Sequence, residues 1–396
     1  MAERGVKYSV LTLNQIAPQG LDRLPSTRYS TGKNIEQPDA ILVRSHDMHA
    51  MEIPRSVKAI GRAGAGTNNI PVVAMSQRGV PVFNAPGANA NAVNELVLAA
   101  LLMAARNVSP ALAYVARLDP DAPDLEARVE EGKKQFAGVE LPRRMLGVVG
   151  LGAIGGLVAD TAIKLGMRVI GFDPEITVDA AWRLHSGVRR AHGIEELLKQ
   201  ADFVTLHVPL LPMTRKLIDA PRLAAMKQGA VLLNFARDGI VDEDAVLQAL
   251  ASGRLAAYVT DFPTRKLVHQ PGVVALPHLG ASTAEAEENC AVMVVDQVRD
   301  YLEHGNVRHA VNFPDVEMTR ESPFRVAIAN ANVPNMLGQI STTMAHHGLN
   351  IHNMVNKSRG EMAYTIVDVD SPVDERLVAA VAAIEGVLSV RAIPQG

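Results

Sequence analysis

The 396-residue chain predicts an α/β protein with two Rossmann-like doubly wound parallel sheets and a smaller C-terminal ferredoxin-like α+β unit. Three observations predict it. Short apolar runs alternate with helical stretches in two successive series, a G-x-G-x-x-G turn opens the second series, and the C-terminal stretch changes to a β-α-β-β-α-β order. Alternating strands and helices imply a parallel sheet with crossover connections. Such sheets bind ligands at the carboxyl ends of their strands.

In the first series, "KYSVLTLN", "AILVRS", "VKAIGRAG" and "VPVFNAP" read as strands, and "IPVVAMSQRG" as a helix ended by Gly79. Arg44 and Arg62 fall just past two strand ends. "NAVNELVLAALLMAARN" is apolar nearly all round and reads as a helix buried between two domains. Its apolar run, 96–105, is far shorter than the ~20 residues that cross a bilayer. After a weakly patterned acidic stretch, 119–131, the second series supplies six strands: "RMLGVVG", "MRVIGFD", "DFVTLHVP", "GAVLLNFAR", "LAAYVTDF" and "GVVALPHLG". One long helix, "AEAEENCAVMVVDQVRDYLEHG", stops at Gly305. "VRHAVNFPDVEMTRESP" has the proline and polar content of a linker. The last unit alternates as the ferredoxin-like split motif does. The expected domains are 1–93 with 283–312 for substrate, 94–282 for the dinucleotide, a linker at 313–322, and a regulatory unit at 323–396.

Composition narrows the partners. A formal charge of −3 predicts no general affinity for nucleic acid or anionic membranes. A single cysteine, Cys290, excludes an internal disulfide and suits a reducing cytosol. The N-terminal "MAERGVKYSVLTLN" is too polar for a signal peptide, so a cytoplasmic protein is expected. No metal site is expected.

Gly150-Leu151-Gly152-Ala153-Ile154-Gly155 would recur by chance if it stood alone. Its context makes it specific: a strand precedes it, a helix follows, and Asp173 ends the next strand about 20 residues on. The glycines allow a tight turn against a pyrophosphate, and the helix N-terminus offers amide donors. The Asp173 carboxylate would accept from ribose hydroxyls and repel a 2′-phosphate, which favours NAD over NADP. Beyond this fold, Arg237 after "VLLNFA" and His278 after "VVALP" stand at strand ends of one sheet and can converge over the cofactor. Either alone is more often structural or solvated; together they read as a catalytic pair.

"GVVGLGAIG", "LHVPLLPMTRKLI", "LLNFARDGIVDEDAVLQAL" and "PHLGAST" resemble the D-isomer-specific 2-hydroxyacid dehydrogenases, over roughly residues 36–312. "VRS", "GRAGAGTNNI" and "VFNAPGANANAVNEL" resemble the branch that oxidises D-3-phosphoglycerate to 3-phosphohydroxypyruvate at the start of serine synthesis. The resemblance implies that His278 takes the 2-hydroxyl proton as hydride leaves C2 for NAD, and that Arg237 binds the carboxylate. It implies further cofactor contacts at Val208, Pro209, Phe235, Ala236, Asp261, Gly280 and Ala281. It also implies a glutamate partner for the histidine, yet the matching run here is "DFPTRK", with Arg265 or Lys266 at that position. A carboxylate from elsewhere, such as Asp261, Glu285 or Glu288, or an unpartnered His278, are the alternatives.

Arg44 with Ser45, and Arg62 with Gly64, make a cationic mouth suited to a small doubly anionic, phosphorylated hydroxy acid, with Asn89 and the pair Lys133/Lys134 as weaker candidates. The C-terminal unit resembles an ACT domain, an amino-acid-binding module, through "ANVPNML", although Asn335 replaces the usual glycine. Asn330, Asn332 and Asn350 match its effector positions, with Asn330 where serine-inhibited relatives often carry histidine. A homodimer or homotetramer is expected. The alternative functions are a dehydrogenase of another D-2-hydroxy acid, such as hydroxyglutarate or glycerate, and an NAD-sensing scaffold.

Overall fold

The computed structural model describes residues 7–394. The chain divides into two compact units, Met1–Asn89 with Ala284–Gly396, and Ala90–Thr283.

The first unit holds a five-stranded parallel sheet in the order β2-β1-β3-β4-β5, formed by β1 (Tyr8–Leu13), β2 (Tyr29–Gly32), β3 (Ala40–Val43), β4 (Ala59–Arg62) and β5 (Val82–Phe83). The expected runs form β1, β3, β4 and β5. The additional strand, β2, reads "YSTG" and carries no apolar run because it is an edge strand with mostly exposed side chains. Helix Ala284–His304 packs against β4, and its Ala291 lies so close to helix Pro18–Leu21 that a Cβ on Gly20 would meet its backbone carbonyl carbon at 2.7 Å.

The same unit contains a four-stranded antiparallel sheet, β14-β15-β13-β16, from β13 (Phe324–Ala331), β14 (Ile351–Arg359), β15 (Met362–Val369) and β16 (Val387–Ile393), with helices Met336–His346 and Glu375–Ala382. One core lies between this sheet and those helices, built on Ile328, Ile340, Met344, Val367 and Val381. On its other side Tyr364, Ile366 and Ile393 join Tyr8, Phe83, Val298, Tyr301 and Phe313 in one cluster. The segment with a linker's composition is therefore packed rather than loose. Phe313 and Val316 are fully buried, and Val307 and Val316 form a β-bridge.

The second unit is a seven-stranded parallel sheet, β12-β11-β10-β9-β6-β7-β8. Its strands are β6 (Met145–Val149), β7 (Arg168–Phe172), β8 (Val188–Arg190), β9 (Phe203–Leu206), β10 (Ala230–Asn234), β11 (Leu255–Thr260) and β12 (Val273–Ala275). Six strands were expected, and the seventh, β8, is again a polar edge. The order reverses between β6 and β9, which places a crevice at the carboxyl ends of those strands. The inward face of helix Ala90–Ala105, through Val93, Val97, Ala100 and Leu101, packs into this unit's core with Val148 and Leu233. Among the described residues no single helix is long and apolar enough to cross a membrane; only the bent pair Ala90–Ala105 and Val108–Val115 reaches that length and composition together.

Candidate active site

In the second unit, β6 runs into the glycine turn and helix Ala153–Lys164 starts at Gly152. Each glycine has its own physical reason. Gly150 has φ +88°, and a Cβ there would lie 2.6 Å from the His207 carbonyl oxygen. A Cβ on Gly155 would lie 1.9 Å from the Gly150 carbonyl oxygen, so helix and strand could not pack as they do. Gly152 differs: nothing in the protein lies within 4 Å of its missing Cβ. Its lack of a side chain keeps open space at a helix N-terminus, where Ala153 and Ile154 begin the first turn. Asp173 follows β7. Its carboxylate accepts the Leu151 N–H at 2.8 Å and the Glu175 N–H at 3.0 Å, which ties the acid to the glycine turn.

Three adjacent strands, β10, β11 and β12, deliver Arg237, Asp261 and His278. Asp261 is 1% exposed. One of its oxygens accepts the Gly280 N–H at 3.3 Å, and the other is buried without a partner. Burial pushes its carboxyl up, while the His278 charge, the Gly280 N–H and the Arg237 charge pull it back. The His278 ring lies against Phe262, with centroids 4.7 Å apart. Arg237 is exposed, and one of its Nη atoms donates to the Ala236 carbonyl at 2.6 Å. Phe235 and Ala236 are buried at the turn after β10, and Val208 and Pro209 follow β9 beside the turn of Gly150.

These features fit a dinucleotide. The space at Gly152 suits a phosphate approached by helix amides, and the unpartnered Asp261 oxygen can accept from a carboxamide or another N–H donor.

The first unit carries the arginines. Val43 and Arg62 are register partners across β3 and β4, so Arg44 and Arg62 emerge at neighbouring strand ends. Arg62 Nε donates to the Arg44 carbonyl at 3.1 Å, and its guanidinium folds over Gly64, whose φ of +151° and lack of Cβ make room for it. Arg44 Nη2 meets Glu287 Oε1 at 2.6 Å. The Ser45 N–H donates to Asn14 Oδ1. The side-chain oxygens of Asn69 and Asn89 are buried without hydrogen-bond partners.

Residues 98–280 match the family model described as "D-isomer specific 2-hydroxyacid dehydrogenase, NAD binding domain". The D-3-phosphoglycerate dehydrogenase of Haemophilus influenzae is 33% identical over 85% of this chain and 81% of its own. The chain belongs to the D-isomer specific 2-hydroxyacid dehydrogenases. The D-3-phosphoglycerate dehydrogenase of Methanocaldococcus jannaschii is 34% identical over 85% of this dehydrogenase, which spans 63% of that relative's length. A glyoxylate reductase from Paecilomyes thermophila aligns with a TM-score of 0.62 at 26% identity, over 77% of this chain and 98% of the other. An NAD+-bound 3-phosphoglycerate dehydrogenase of Entamoeba histolytica shares the fold, with a TM-score of 0.59 at 23% identity over 77% and 99% of the two chains.

Within this dehydrogenase the position expected for a glutamate has been redirected. Lys266 Nζ bonds both oxygens of Asp244, at 2.8 and 2.9 Å, on helix Glu243–Ala251. Glu288 accepts from Gln19 in the first unit. Lys133 pairs with Glu130 on an exposed surface, as an ordinary solvated lysine does. Two residues given no role from sequence support the second unit's site. Asn234, fully buried, donates to the Arg237 carbonyl at 2.8 Å and accepts the Ala236 N–H at 3.2 Å, bracing the turn that presents Arg237. His207 lies beneath Gly150, and burial lowers its ring to about 3, so it stays neutral. One ring nitrogen bonds Thr205 Oγ1 at 2.9 Å, and the other is unpartnered. The only sequence signal for either residue was its place at a strand end.

In the antiparallel unit, Asn330, Asn332, Asn335 and Asn356 line a cleft of about 230 Å³. Asn330 is 1% exposed with an unpartnered side-chain oxygen, and Asn335 opens helix Met336–His346 with φ +63°. Asn350 is not part of this cleft; its N–H donates to Asp370.

Proposed function

We propose that the chain is an NAD-dependent dehydrogenase that oxidises D-3-phosphoglycerate to 3-phosphohydroxypyruvate, the first step of serine synthesis. The observation that carries the reaction is the grouping of His278, Arg237 and a buried, incompletely bonded Asp261 on three adjacent strand ends. NAD, when bound, accepts the hydride from C2. Gly150, Gly152, Gly155 and Asp173 would hold it, with the Asp173 carboxylate selecting against a 2′-phosphate. Asp261, with Gly280 and Ala281 beside it, would meet its nicotinamide end.

His278 takes the C2 hydroxyl proton on a ring nitrogen as the hydride leaves, and the C2 oxygen becomes a carbonyl. Arg237 binds the substrate carboxylate, using the planar fork that suits two oxygens. With Lys266 held by Asp244, Asp261 is the carboxylate whose charge interacts with that of His278. Arg44, Arg62 and Asn89 are assigned to the phosphate-bearing end. The charge of the two arginines favours a doubly anionic substrate over a simple 2-hydroxy acid.

The antiparallel unit is read as an ACT domain, and its asparagine cleft as the site of a small neutral amino acid, since no charged side chain lines it. The protein is read as a homo-oligomer. Helix Val108–Val115 buries none of its residues and exposes Leu112 and Val115, a pattern that suits contact with a second copy. The buried Cys290 suits a cytoplasmic protein.

The test follows NADH absorbance over a panel of 2-hydroxy acids, with and without phosphate. D-3-phosphoglycerate should give the highest kcat/KM, with NAD preferred to NADP. Faster oxidation of unphosphorylated glycerate or hydroxyglutarate would assign the site to that acid instead. Cofactor binding without hydride transfer to any of them would favour a sensing scaffold.

A further inference from the structure

We infer that Glu287 sets the affinity of the phosphate site, as an internal counter-anion that holds the Arg44 guanidinium until a substrate phosphate displaces it. The inference rests on the reading of Arg44 as the phosphate-recognising residue.

Arg44 Nη2 and Glu287 Oε1 are 2.6 Å apart, and the two side chains are 35% and 41% exposed. A pair this open to water is weak, so a more highly charged anion can replace the carboxylate. The geometry leaves only side chains free to make that exchange. The Arg44 carbonyl accepts from Arg62 Nε at 3.1 Å and from Asn69 Nδ2 at 3.4 Å, which fixes its backbone at the strand end. Glu287 sits in the first turn of helix Ala284–His304, and that helix is clamped at its far end. Arg391 donates to the Tyr301 and Leu302 carbonyls, Arg325 to that of His304, and Tyr8 OH to that of Leu302. The clamped helix cannot slide aside, so Glu287 must rotate away from Arg44. Its new position remains favourable, because a carboxylate in the first helical turn is stabilised by the unpaired amides and the dipole there.

The consequence is a lowered affinity for phosphate. A phosphate monoester carries enough charge to displace Glu287 and form two hydrogen bonds to the guanidinium. A substrate without phosphate leaves the Arg44–Glu287 pair closed. Glu287 therefore weakens binding of every anion at Arg44.

The test compares Glu287→Gln and Glu287→Asp with the unmutated enzyme, measuring KM and kcat for D-3-phosphoglycerate and D-glycerate and binding of inorganic phosphate by calorimetry. Glu287→Gln should lower KM for the phosphorylated substrate about three- to fivefold, the scale of a half-exposed ion pair. Phosphate should bind more tightly by a similar factor, and KM for glycerate should hold. Glu287→Asp, which keeps the charge, should stay closer to the unmutated enzyme than Glu287→Gln does. Unchanged or weaker phosphate binding in Glu287→Gln would overturn the inference. Failure of the unmutated chain to oxidise D-3-phosphoglycerate would instead sink the substrate reading, and the phosphate-binding comparison would still decide the role of Glu287.

Discussion

Two buried charges in this molecule are treated in opposite ways. Arg325, in the antiparallel unit, has a side chain with no exposure and uses every donor it has. Nε and one Nη bond the two Asp368 oxygens at 2.6 and 2.9 Å, and the Nη groups also reach the carbonyls of His304, Met318 and Thr319. Asp261, in the parallel-sheet unit, is equally buried, yet one of its oxygens has no partner. A completed set of hydrogen bonds fixes structure. An incomplete set in a buried place costs stability and persists where a ligand completes it.

The largest effect should come from His278→Ala, which removes the proposed proton acceptor and should lower kcat/KM by roughly 10²–10⁴-fold. Its ring is exposed, so the urea midpoint should barely move. A large loss of stability would place His278 on the structural side of the division.

Asp368→Ala should act in reverse. It leaves a buried guanidinium without its carboxylate, at a cost of about 3–5 kcal/mol, read from denaturant unfolding. NAD binding by the surviving folded protein should persist. The pH dependence has a definite sign. Burial pushes the Asp368 carboxyl up, but the Arg325 hydrogen bonds, the Glu321 N–H and the Arg325 and Arg320 charges outweigh burial and hold it below its ordinary range. Its contribution is therefore full above the unfolded carboxyl value of about 3.9 and is lost as pH falls through the lower folded value. Asp368→Asn should flatten that acid limb.

Asp261→Asn sharpens the contrast with the smallest shift. The folded carboxyl lies above its ordinary value, so native stability is gained as pH falls through that value and is absent at neutral pH. The neutral amide should raise the melting temperature slightly at neutral pH, because it removes a buried charge that desolvation disfavours. Turnover should fall in the same variant. A variant that is both less stable and fully active would break the comparison.

The central strands of both parallel sheets were legible because each reads as a short apolar run between polar or small residues. The edge strands β2 and β8 were not, since "YSTG" and "VRR" each bury at most one side chain and carry no such run. The glycine turn was legible from spacing. Asn234 was not, because a lone asparagine gives no hint that its side chain will hold the turn before Arg237.

The sequence by itself determined the strands and helices of two parallel sheets and one antiparallel sheet, the dinucleotide turn at Gly150–Gly155, and the placing of Arg237 and His278 at strand ends. These follow from backbone preferences and periodicities that act over a few residues. Tertiary structure alone decided which charge meets which. Lys266 turns to Asp244, 22 positions away; Arg325 finds Asp368, 43 positions away; and Arg44 meets Glu287 across 243 positions. Distance in space, not spacing along the chain, sets an electrostatic interaction, and only the folded chain brings such partners within hydrogen-bond reach.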